Sequence, residues 1–268
     1  MRCWGVISLT TRPFRLTSGL MNLSGFPDPE PPVKASPWTG DYITALFCIW
    51  SSLAGYIHAQ RTGQGQVIDL AQYEAVHNTL AGTMVAYYEL GLDRQRNGNA
   101  AGIFQPYDAF QASDGWVNIA ALGPGFNRLL EVIGLDAGDE KWRRSGSDVE
   151  SPEGIEFDAV LRGWVLEHSV KEVVETLNAP QIAASAIMTP RDMAEDPHYK
   201  MRNVHVEWED VNLGRKVKGI GVIPKFSQTP GEIWRGSVPL GYDNESVYQH
   251  YLGLSPDDLE HLKDQGVI

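Results

Sequence analysis

The pattern between residues 41 and 90 constrains the fold more than any other part of the chain. From Asp41 to Arg61 apolar residues recur at helical spacing, and two glycines follow directly. Val67–Leu70 has the composition of a short strand, and a second helical pattern covers Gln72–Leu90. This helix–strand–helix order predicts an α/β protein. One strand cannot form a sheet, so distant strands, a partner chain or a missing part of the protein must complete it.

Further along the chain the pattern mixes hairpins with short helices. Tyr107–Ala112 and Trp116–Leu122 flank an Asp-Gly pair, which predicts a hairpin. A second hairpin is predicted over 205–222, and residues 181–188 read as a strand. A capping box beginning at Ser169 and a Ser-Pro-Asp-Asp motif beginning at Ser255 each predict the start of a helix.

Charge and cysteine content exclude several classes of partner. The 268 residues carry 22 Lys and Arg against 34 Asp and Glu, a net charge of −12, which argues against nucleic acid and anionic membranes. The most apolar stretch, Ile43–Ile57, is interrupted by Thr, Ser and Gly, so we expect no transmembrane span. Cys48 is predicted to be a small buried hydrophobe. With two cysteines and too short an N-terminal apolar run for a signal peptide, a cytoplasmic protein is expected.

Asp41 is the strongest candidate for chemistry. It begins an apolar helix after a Trp-Thr-Gly loop, where backbone amides and the helix dipole favour a charged carboxylate. Such a group can serve as a nucleophile or a base. A plain N-cap, formed by Thr39 or Asp41, is the simpler interpretation, and spacing alone does not decide between the two.

Other motifs are weaker. Gly63–Gln66 has the glycines of a phosphate loop but lacks the Lys-Ser/Thr of a P-loop, so a turn is favoured. His58 and His77 have no partner at ligand spacing, and no metal site is expected. Asp69 and Glu74 could form a pair of carboxylates, but one lies on the predicted strand and the other on the predicted helix. Their side chains therefore need not lie close together.

Several segments in a fixed order resemble the CaiB/BaiF family, the class III CoA-transferases. They are Ser18–Asp28, Pro31–Val33, Thr39–Ala45 and Arg61–Asp69. The C-terminal segment Ile223–Gly236 resembles the carnitine CoA-transferase branch in particular. The resemblance runs from about residue 18 to the end of the chain.

The resemblance implies an α/β fold in which a Rossmann-like large domain, incomplete here, carries an inserted smaller α+β domain. On this sequence residues 1–95 map to the large domain, 96–185 to the small domain, and 186–268 to a linker and the return to the large domain. It also implies two subunits that interlock like rings. From the resemblance we expect this sequence to lack the family's N-terminal half, and residues 1–17 match the family poorly.

The resemblance further implies that Asp41 is a covalent nucleophile in CoA transfer, with acyl-CoA as substrate rather than as a permanently bound cofactor. Amides at the helix start, including that of Tyr42, are expected to stabilise charge on the reacting oxygens. The expected acceptor is a small carboxylic acid such as carnitine, crotonobetaine or γ-butyrobetaine. The residues expected to contact substrate are Trp38, Gly40, Tyr42, Gln72, Phe104, Gln105 and Tyr107.

Aromatic residues among these suit a trimethylammonium group, since cation–π contacts contribute about 0.5–2 kcal/mol each. Ala100–Gln105 keeps the glutamine but few of the glycines of the formyl-CoA transferase branch, which argues against oxalate or formate. Two alternatives stay open. An α-methylacyl-CoA racemase of the same family is disfavoured because no histidine lies between Met1 and Gly19. The other is a non-catalytic fragment, or a chain that needs a separate N-terminal half.

Overall fold

A computed structural model describes residues 18–35 and 38–268, which fall into two compact units. The first unit ends at Ile187 and the second runs from Met188 to Ile268. The elements of the first unit are α1 (Thr39–Thr62), α2 (Gln72–Asn78), α3 (Thr83–Leu90), β1 (Tyr107–Gln111), β2 (Trp116–Ala120), α4 (Pro124–Val132), α5 (Glu140–Ser145), α6 (Pro152–Leu166), α7 (Val170–Asn178) and β3 (Ala183–Ala186). Those of the second are α8 (Pro190–Glu195), α9 (Pro197–Met201), β4 (His205–Asp210), β5 (Arg215–Ile220), α10 (Asn244–Leu252) and α11 (Pro256–Asp264). The predicted domain boundaries at 95 and 185 stay predictions.

The first unit is built on an antiparallel sheet in the order β1-β2-β3. The predicted hairpin is confirmed, with Phe110 opposite Val117 across the ladder. Because side chains alternate along a strand, Val117 and Ile119 of β2 point to the same face, and both are fully buried. Helix α6 packs against β1, and α7 packs against β2 and β3. The sheet therefore has one face covered by helices.

The hydrophobic core lies between residues 110 and 182. Its fully buried large side chains come from β1, β2, α4, α6, α7 and the residue before β3: Phe110, Val117, Ile119, Leu129, Leu130, Phe157, Leu161, Val165, Val173, Leu177 and Ile182. The rings of Phe126 and Phe157 pack with their centroids 5.0 Å apart. The predicted capping box at the start of α7 is also confirmed, since Ser169 and Glu172 exchange both hydrogen bonds. This part of the chain has the interior of a folded domain.

Helix α1 has a different environment. Only Gly40 and Ala59 of its 24 residues are buried, and large apolar side chains such as Leu46, Trp50 and Leu53 are more than half exposed. Cys48 is only partly buried, so the prediction of a buried cysteine is wrong. Within residues 18–35 and 38–268, α1 is the helix long and apolar enough to cross a membrane by length and composition. The Thr, Ser and Gly residues that interrupt this apolar stretch therefore do not exclude α1 as a helix that could cross a membrane by length and composition.

The segment between α1 and α3 departs from the sequence prediction. Residues 64–71 form no strand, so the predicted strand Val67–Leu70 is wrong. A strand needs a hydrogen-bonded neighbour, and the described residues offer none at this place. The predicted helix over Gln72–Leu90 is broken in two. Ala81 has a left-handed backbone with φ of 51°, and the Thr79 hydroxyl donates to the carbonyl of Val76 at 2.6 Å, which turns the chain.

The second unit contains the second predicted hairpin, β4–β5, which is confirmed. Asp210 ends β4, and its buried carboxylate accepts hydrogen bonds from the amide of Leu213 at 2.9 Å and the hydroxyl of Ser237 at 2.7 Å. The amide of Ser237 donates to the same carboxylate at 3.0 Å. The carboxylate thus fixes a loop distant in sequence to the hairpin end.

The hydrogen bonds to Asp210 predict a pH-dependent stability. The Ser237 hydroxyl, with the Leu213 and Ser237 amides, holds the pKa of Asp210 below its ordinary value of 3.8. These bonds favour the charged form, so their contribution is present above the ordinary pKa and is lost as the pH falls through the folded value. We expect the difference in melting temperature between wild type and Asp210→Asn to shrink as the pH falls below about 4. Thermal unfolding followed by circular dichroism between pH 7 and pH 2 measures this.

Asp93, an exposed carboxylate in the loop after α3, provides the control. Asp93→Asn should leave the melting curves close to wild type over the same pH range, because exposed substitutions change stability little. A constant gap between wild type and Asp210→Asn down to the lowest pH would contradict the assigned role.

Candidate active site at the start of helix α1

Asp41 lies in the first turn of α1. The helix begins at Thr39, and Trp38 occupies the N-cap position with a left-handed backbone (φ 67°). Asp41 is therefore the third helical residue, and the expectation that Thr39 or Asp41 is the N-cap is wrong. A carboxylate in the first turn still benefits from the positive end of the helix dipole.

Gln72, one of the residues predicted to contact substrate, is hydrogen-bonded to Asp41 in the structure. Its side-chain amide, Nε2, donates a hydrogen bond to Oδ1 of Asp41 at 3.3 Å. Gln72 is the first residue of α2, and Ala71 is the N-cap, so the alternative of Gln72 as a helix cap does not apply. Helices α1 and α2 pack against each other, and this packing brings together residues 31 positions apart. A neutral amide can orient one carboxylate oxygen without neutralising its charge.

A small cavity of about 30 Å³ lies beside the first turn of α1. Gly40 and Thr39 line it from the helix, and Lys34 is the cationic group in its lining. Next to it, Nδ1 of His77 is 2.9 Å from the carbonyl oxygen of Ser18. Lys34 was missed by the sequence reasoning, because a lysine in a proline-rich loop has no spacing that indicates a site.

The aromatic neighbours of Asp41 are open to solvent. The side chains of Trp38 and Tyr42 are 62 % and 67 % exposed. The amide of Tyr42 donates to the carbonyl of Trp38 at 2.9 Å and continues the helix. The expectation that this amide stabilises a reacting oxygen is therefore wrong in this chain, since its hydrogen is already committed.

The remaining predicted residues form a second group, in the loop before β1. The rings of Phe104 and Tyr107 meet edge to face with centroids 5.7 Å apart. Gln105 lies between them, and its Nε2 donates to the carbonyls of Ser145 and Gly154, each at 2.8 Å. The side chain of Gln105 thus fixes the loop to the end of α5 and the first turn of α6. The structure places the predicted residues in two groups, one at α1 and one in this loop.

The anchoring of Gln105 is testable by changing its amide to a carboxylate. Gln105→Glu should lower the free energy of unfolding by about 1–3 kcal/mol, because two carbonyl oxygens lose their donor and face a negative charge. Hydrogen exchange of residues 98–104 should accelerate as the loop detaches. Urea unfolding with residue-resolved hydrogen exchange measures both effects.

The matched control is Gln95→Glu, the same change at an exposed glutamine whose amide makes one surface hydrogen bond. It should leave both measurements near wild type. Equal effects of the two variants would show that the added charge, and not the loss of the Gln105 hydrogen bonds, lowers the stability and accelerates hydrogen exchange.

Among the described residues, the surroundings of Asp41 and Gln72 contain no cluster of side chains that could bind a metal ion. In the part of the chain that the structure describes, no group of three or more His, Cys, Asp and Glu side chains is placed to hold a metal ion. The candidate site therefore rests on a positive observation, the hydrogen bond between Gln72 and Asp41.

Comparison with known proteins finds a family model and two similar enzymes. Residues 14–244 match the model of CoA-transferase family III. The bile acid CoA-transferase BaiK of Clostridium scindens is 34 % identical over 258 residues, covering 93 % of this chain and 58 % of BaiK. The succinyl-CoA–D-citramalate CoA-transferase of Chloroflexus aurantiacus is 30 % identical over 253 residues, covering 93 % of this chain and 62 % of that enzyme.

Solved structures agree with the fold. A CAIB/BAIF family protein from Brucella suis superposes with a TM-score of 0.73 at 24 % identity, over 88 % of this chain and 61 % of that one. Rv3272 from Mycobacterium tuberculosis gives 0.70 at 19 % identity, over 87 % of this chain and 61 % of that one. The predicted class of α/β fold is confirmed. The chain spans about three fifths of the length of the proteins it matches.

Proposed function

Because the chain belongs to CoA-transferase family III, we propose that it transfers CoA from an acyl-CoA thioester to a small carboxylic acid through a covalent intermediate on Asp41. Two similar enzymes, at 34 % and 30 % identity, are CoA-transferases by name, which supports the reaction class. The observation that carries the role of Asp41 is its place in the first turn of α1 with the Gln72 amide on one carboxylate oxygen.

The transfer follows from the chemistry of a carboxylate nucleophile. An oxygen of Asp41 attacks the thioester carbonyl, the C–S bond breaks with release of CoA as a thiolate, and a mixed anhydride between Asp41 and the acyl group is formed. The thiolate attacks the carbonyl carbon of Asp41, releasing the donor carboxylate and forming an aspartyl-CoA thioester. The acceptor carboxylate displaces CoA in the same way, and the thiolate then attacks the acceptor carbonyl, which frees Asp41. Each step exchanges one bond for another and needs no oxidant or reductant.

Gln72 gives this sequence a fixed geometry. Its amide donates to Oδ1 of Asp41 and so restrains the orientation of the carboxylate toward the incoming thioester. The amide donates to a carboxylate oxygen and, once the anhydride forms, to the carbonyl oxygen of the acylated side chain. Gln72 thus acts as a positioning residue throughout the proposed cycle.

For the acceptor we propose a carboxylic acid that carries a trimethylammonium group, such as carnitine, crotonobetaine or γ-butyrobetaine. The exposed rings of Trp38 and Tyr42 on either side of Asp41 support this class, because aromatic faces attract such cations. Trp38→Ala should raise the KM for carnitine about fivefold with kcat little changed, since one cation–π contact is lost. Steady-state kinetics with carnitine and with a neutral acid as acceptors measure the effect, and an unchanged KM would remove Trp38 from the site.

The exposed apolar side chains of helix α1 support a second proposal, which concerns how the active transferase is assembled. Helix α1 leaves its apolar side chains exposed, and the chain spans 58 % to 62 % of the length of the enzymes it matches. Exposed apolar surface of this extent is costly unless something covers it. We propose that the transferase is complete only when a polypeptide carrying the matching remainder, or a second copy in an interlocked homodimer, covers α1.

The test is a trapping experiment on the purified chain. The chain is incubated with acetyl-CoA or butyryl-CoA and hydroxylamine, and intact mass and peptide mapping locate any hydroxamate. A hydroxamate on Asp41 supports the covalent role and shows that this chain alone builds a competent site. No adduct on the chain alone, followed by an adduct once the remainder is supplied, supports the second proposal. No adduct in either case contradicts the proposal.

A further inference from the structure

Arg96 is a buried cationic residue to which the proposed transfer gives no role. It follows α3 in the chain, and its side chain is only 8 % exposed. Nε donates to the carbonyl of Phe26 at 3.1 Å, and Nη1 donates to that of Asn22 at 3.4 Å. Nη2 donates to the carbonyl of Glu30 at 3.2 Å and to the carboxylate of Asp28. One guanidinium thus makes four hydrogen bonds to residues 66 to 74 positions earlier in the chain.

The segment that Arg96 holds, residues 18–34, also contacts the candidate site. The carbonyl oxygen of its first residue is 2.9 Å from Nδ1 of His77 on α2, the helix that begins with Gln72. Four of its residues line the small cavity beside the first turn of α1: Ser18, Leu20, Met21 and Lys34. Segment 18–34 is therefore bonded to Arg96 and in contact with both helices that bring Gln72 to Asp41.

The residues directly after Arg96 begin the loop before β1, which carries the second group of predicted residues. The amide of Gly98 donates to the carbonyl of Gly25 at 2.9 Å. Gly98 has a left-handed backbone with φ of 68°, and a Cβ atom there would lie 2.9 Å from ring atoms of Phe26, so this close approach requires glycine. The base of the loop before β1 is thus packed against segment 18–34.

We infer that Arg96 is a positioning residue for the proposed CoA transfer. By holding segment 18–34 against the first turn of α1 and against the base of the loop before β1, one guanidinium fixes the two groups of predicted site residues relative to each other. Lysine cannot replace it, because an ammonium group offers its donors at one point and cannot reach four separate acceptors. The kinetic consequence rests on the function proposed above, whereas the geometry assigned to Arg96 is measured without any substrate.

The first test follows the hydrogen bond between Gln72 and Asp41 in the substrate-free chain by NMR. Arg96→Lys should shift the side-chain amide signals of Gln72 and accelerate hydrogen exchange of residues 98–104, because both groups lose their shared anchor. The control is Arg235→Lys, which breaks the bidentate pair of Arg235 with Asp243 in the second unit and should leave both readouts as in wild type. Unchanged Gln72 signals in folded Arg96→Lys would overturn the inference, whatever the activity of the chain.

The second test separates positioning from stability in single-turnover reactions with butyryl-CoA and hydroxylamine. A variant that only unfolds more readily forms less hydroxamate on Asp41, whereas a misplaced carboxylate forms it with a lower rate constant. Arg96→Lys should lower this rate constant about 10- to 100-fold, because small misplacements of reacting groups have effects of that size, and Arg235→Lys should not lower it.

The outcomes of the two tests distinguish this inference from the proposed function. Less hydroxamate at the wild-type rate constant in Arg96→Lys would overturn the positioning role, while the transfer on Asp41 stands. No hydroxamate in the wild type, with or without the remainder, would contradict the proposed function, and the Gln72 signals then decide the geometry assigned to Arg96.

Asp28→Ala keeps the inference testable where Arg96→Lys does not fold. The side chain of Asp28 is 80 % exposed, so its removal leaves the three carbonyl bonds of Arg96 in place. The Gln72 signals should shift, and the rate constant should fall about threefold, since one of four partners is lost. Glu30→Ala is the matched control, because it removes the same charge two residues away but keeps the backbone carbonyl that accepts from Arg96. No shift in Asp28→Ala, or equal shifts in both variants, would overturn the inference.

Discussion

Asp41→Asn is expected to abolish CoA transfer, with a fall in kcat of at least about 10³-fold, and to eliminate the hydroxylamine-trapped adduct. Asn keeps the shape of the side chain and can still accept the hydrogen bond from Gln72. It cannot form an anhydride, because its amide nitrogen replaces the attacking oxygen. Removal of a covalent nucleophile is among the largest single effects in enzyme kinetics. Turnover is measured by the exchange of labelled CoA between acyl donors.

Asp69→Asn is the matched control for this experiment. Asp69 is an exposed acidic residue in the segment before Gln72, and the same isosteric change there should leave turnover and trapping intact. Undiminished turnover in Asp41→Asn would exclude Asp41 as the nucleophile. Loss of activity in both variants, with normal circular dichroism, would show a general sensitivity of the region to charge.

The largest effect on stability is expected from Phe157→Ala. Phe157 is fully buried at the centre of the core and packs against Phe126 with ring centroids 5.0 Å apart. Truncation removes the ring contacts and leaves a void that close-packed neighbours fill only in part, so the free energy of unfolding should fall by about 3–5 kcal/mol. Urea unfolding followed by circular dichroism measures the change.

Leu166→Ala is the control. It tests whether the loss of stability comes from truncating a buried side chain rather than from any truncation to alanine in helix α6. Leu166 is the last residue of the same helix α6 but is 53 % exposed, so its truncation should cost less than about 0.5 kcal/mol. A loss of under about 1 kcal/mol in Phe157→Ala would contradict the assignment of the core to this region.

Features with local causes could be predicted from the sequence. The helix starts at Ser169 and Ser255 follow from side chains that bond to amides three residues away, and the structure confirms both. The hairpin β1–β2 follows from a turn pair between two strand patterns. By contrast, Val67–Leu70 has strand composition but no neighbouring strand in the described residues, because pairing is decided by distant parts of a chain.

The site was predictable only in part for the same reason. The chemistry of Asp41 was suggested by its place at a helix start, although that pattern fits a cap equally well. The contact of Gln72 with Asp41 joins residues 31 positions apart, and it depends on how α1 packs against α2. The i,i+4 spacing of Asp158 and Arg162 on α6 is a pattern that favours their ion pair, whereas the ion pair of Arg162 with Asp108 of β1 depends on how α6 packs against the sheet.

The exposure of α1 has a consequence for how the activity would be controlled. Asp41 is in the first turn of a helix that buries only Gly40 and Ala59, so the helix takes little stability from its own unit. Anything that covers its apolar side chains stabilises the whole helix and with it the geometry around Asp41. By thermodynamic linkage, a substrate that prefers the ordered carboxylate must tighten the association that covers the helix by the same factor. Under the function proposed above, acyl-CoA concentration would then regulate this association as well as the turnover.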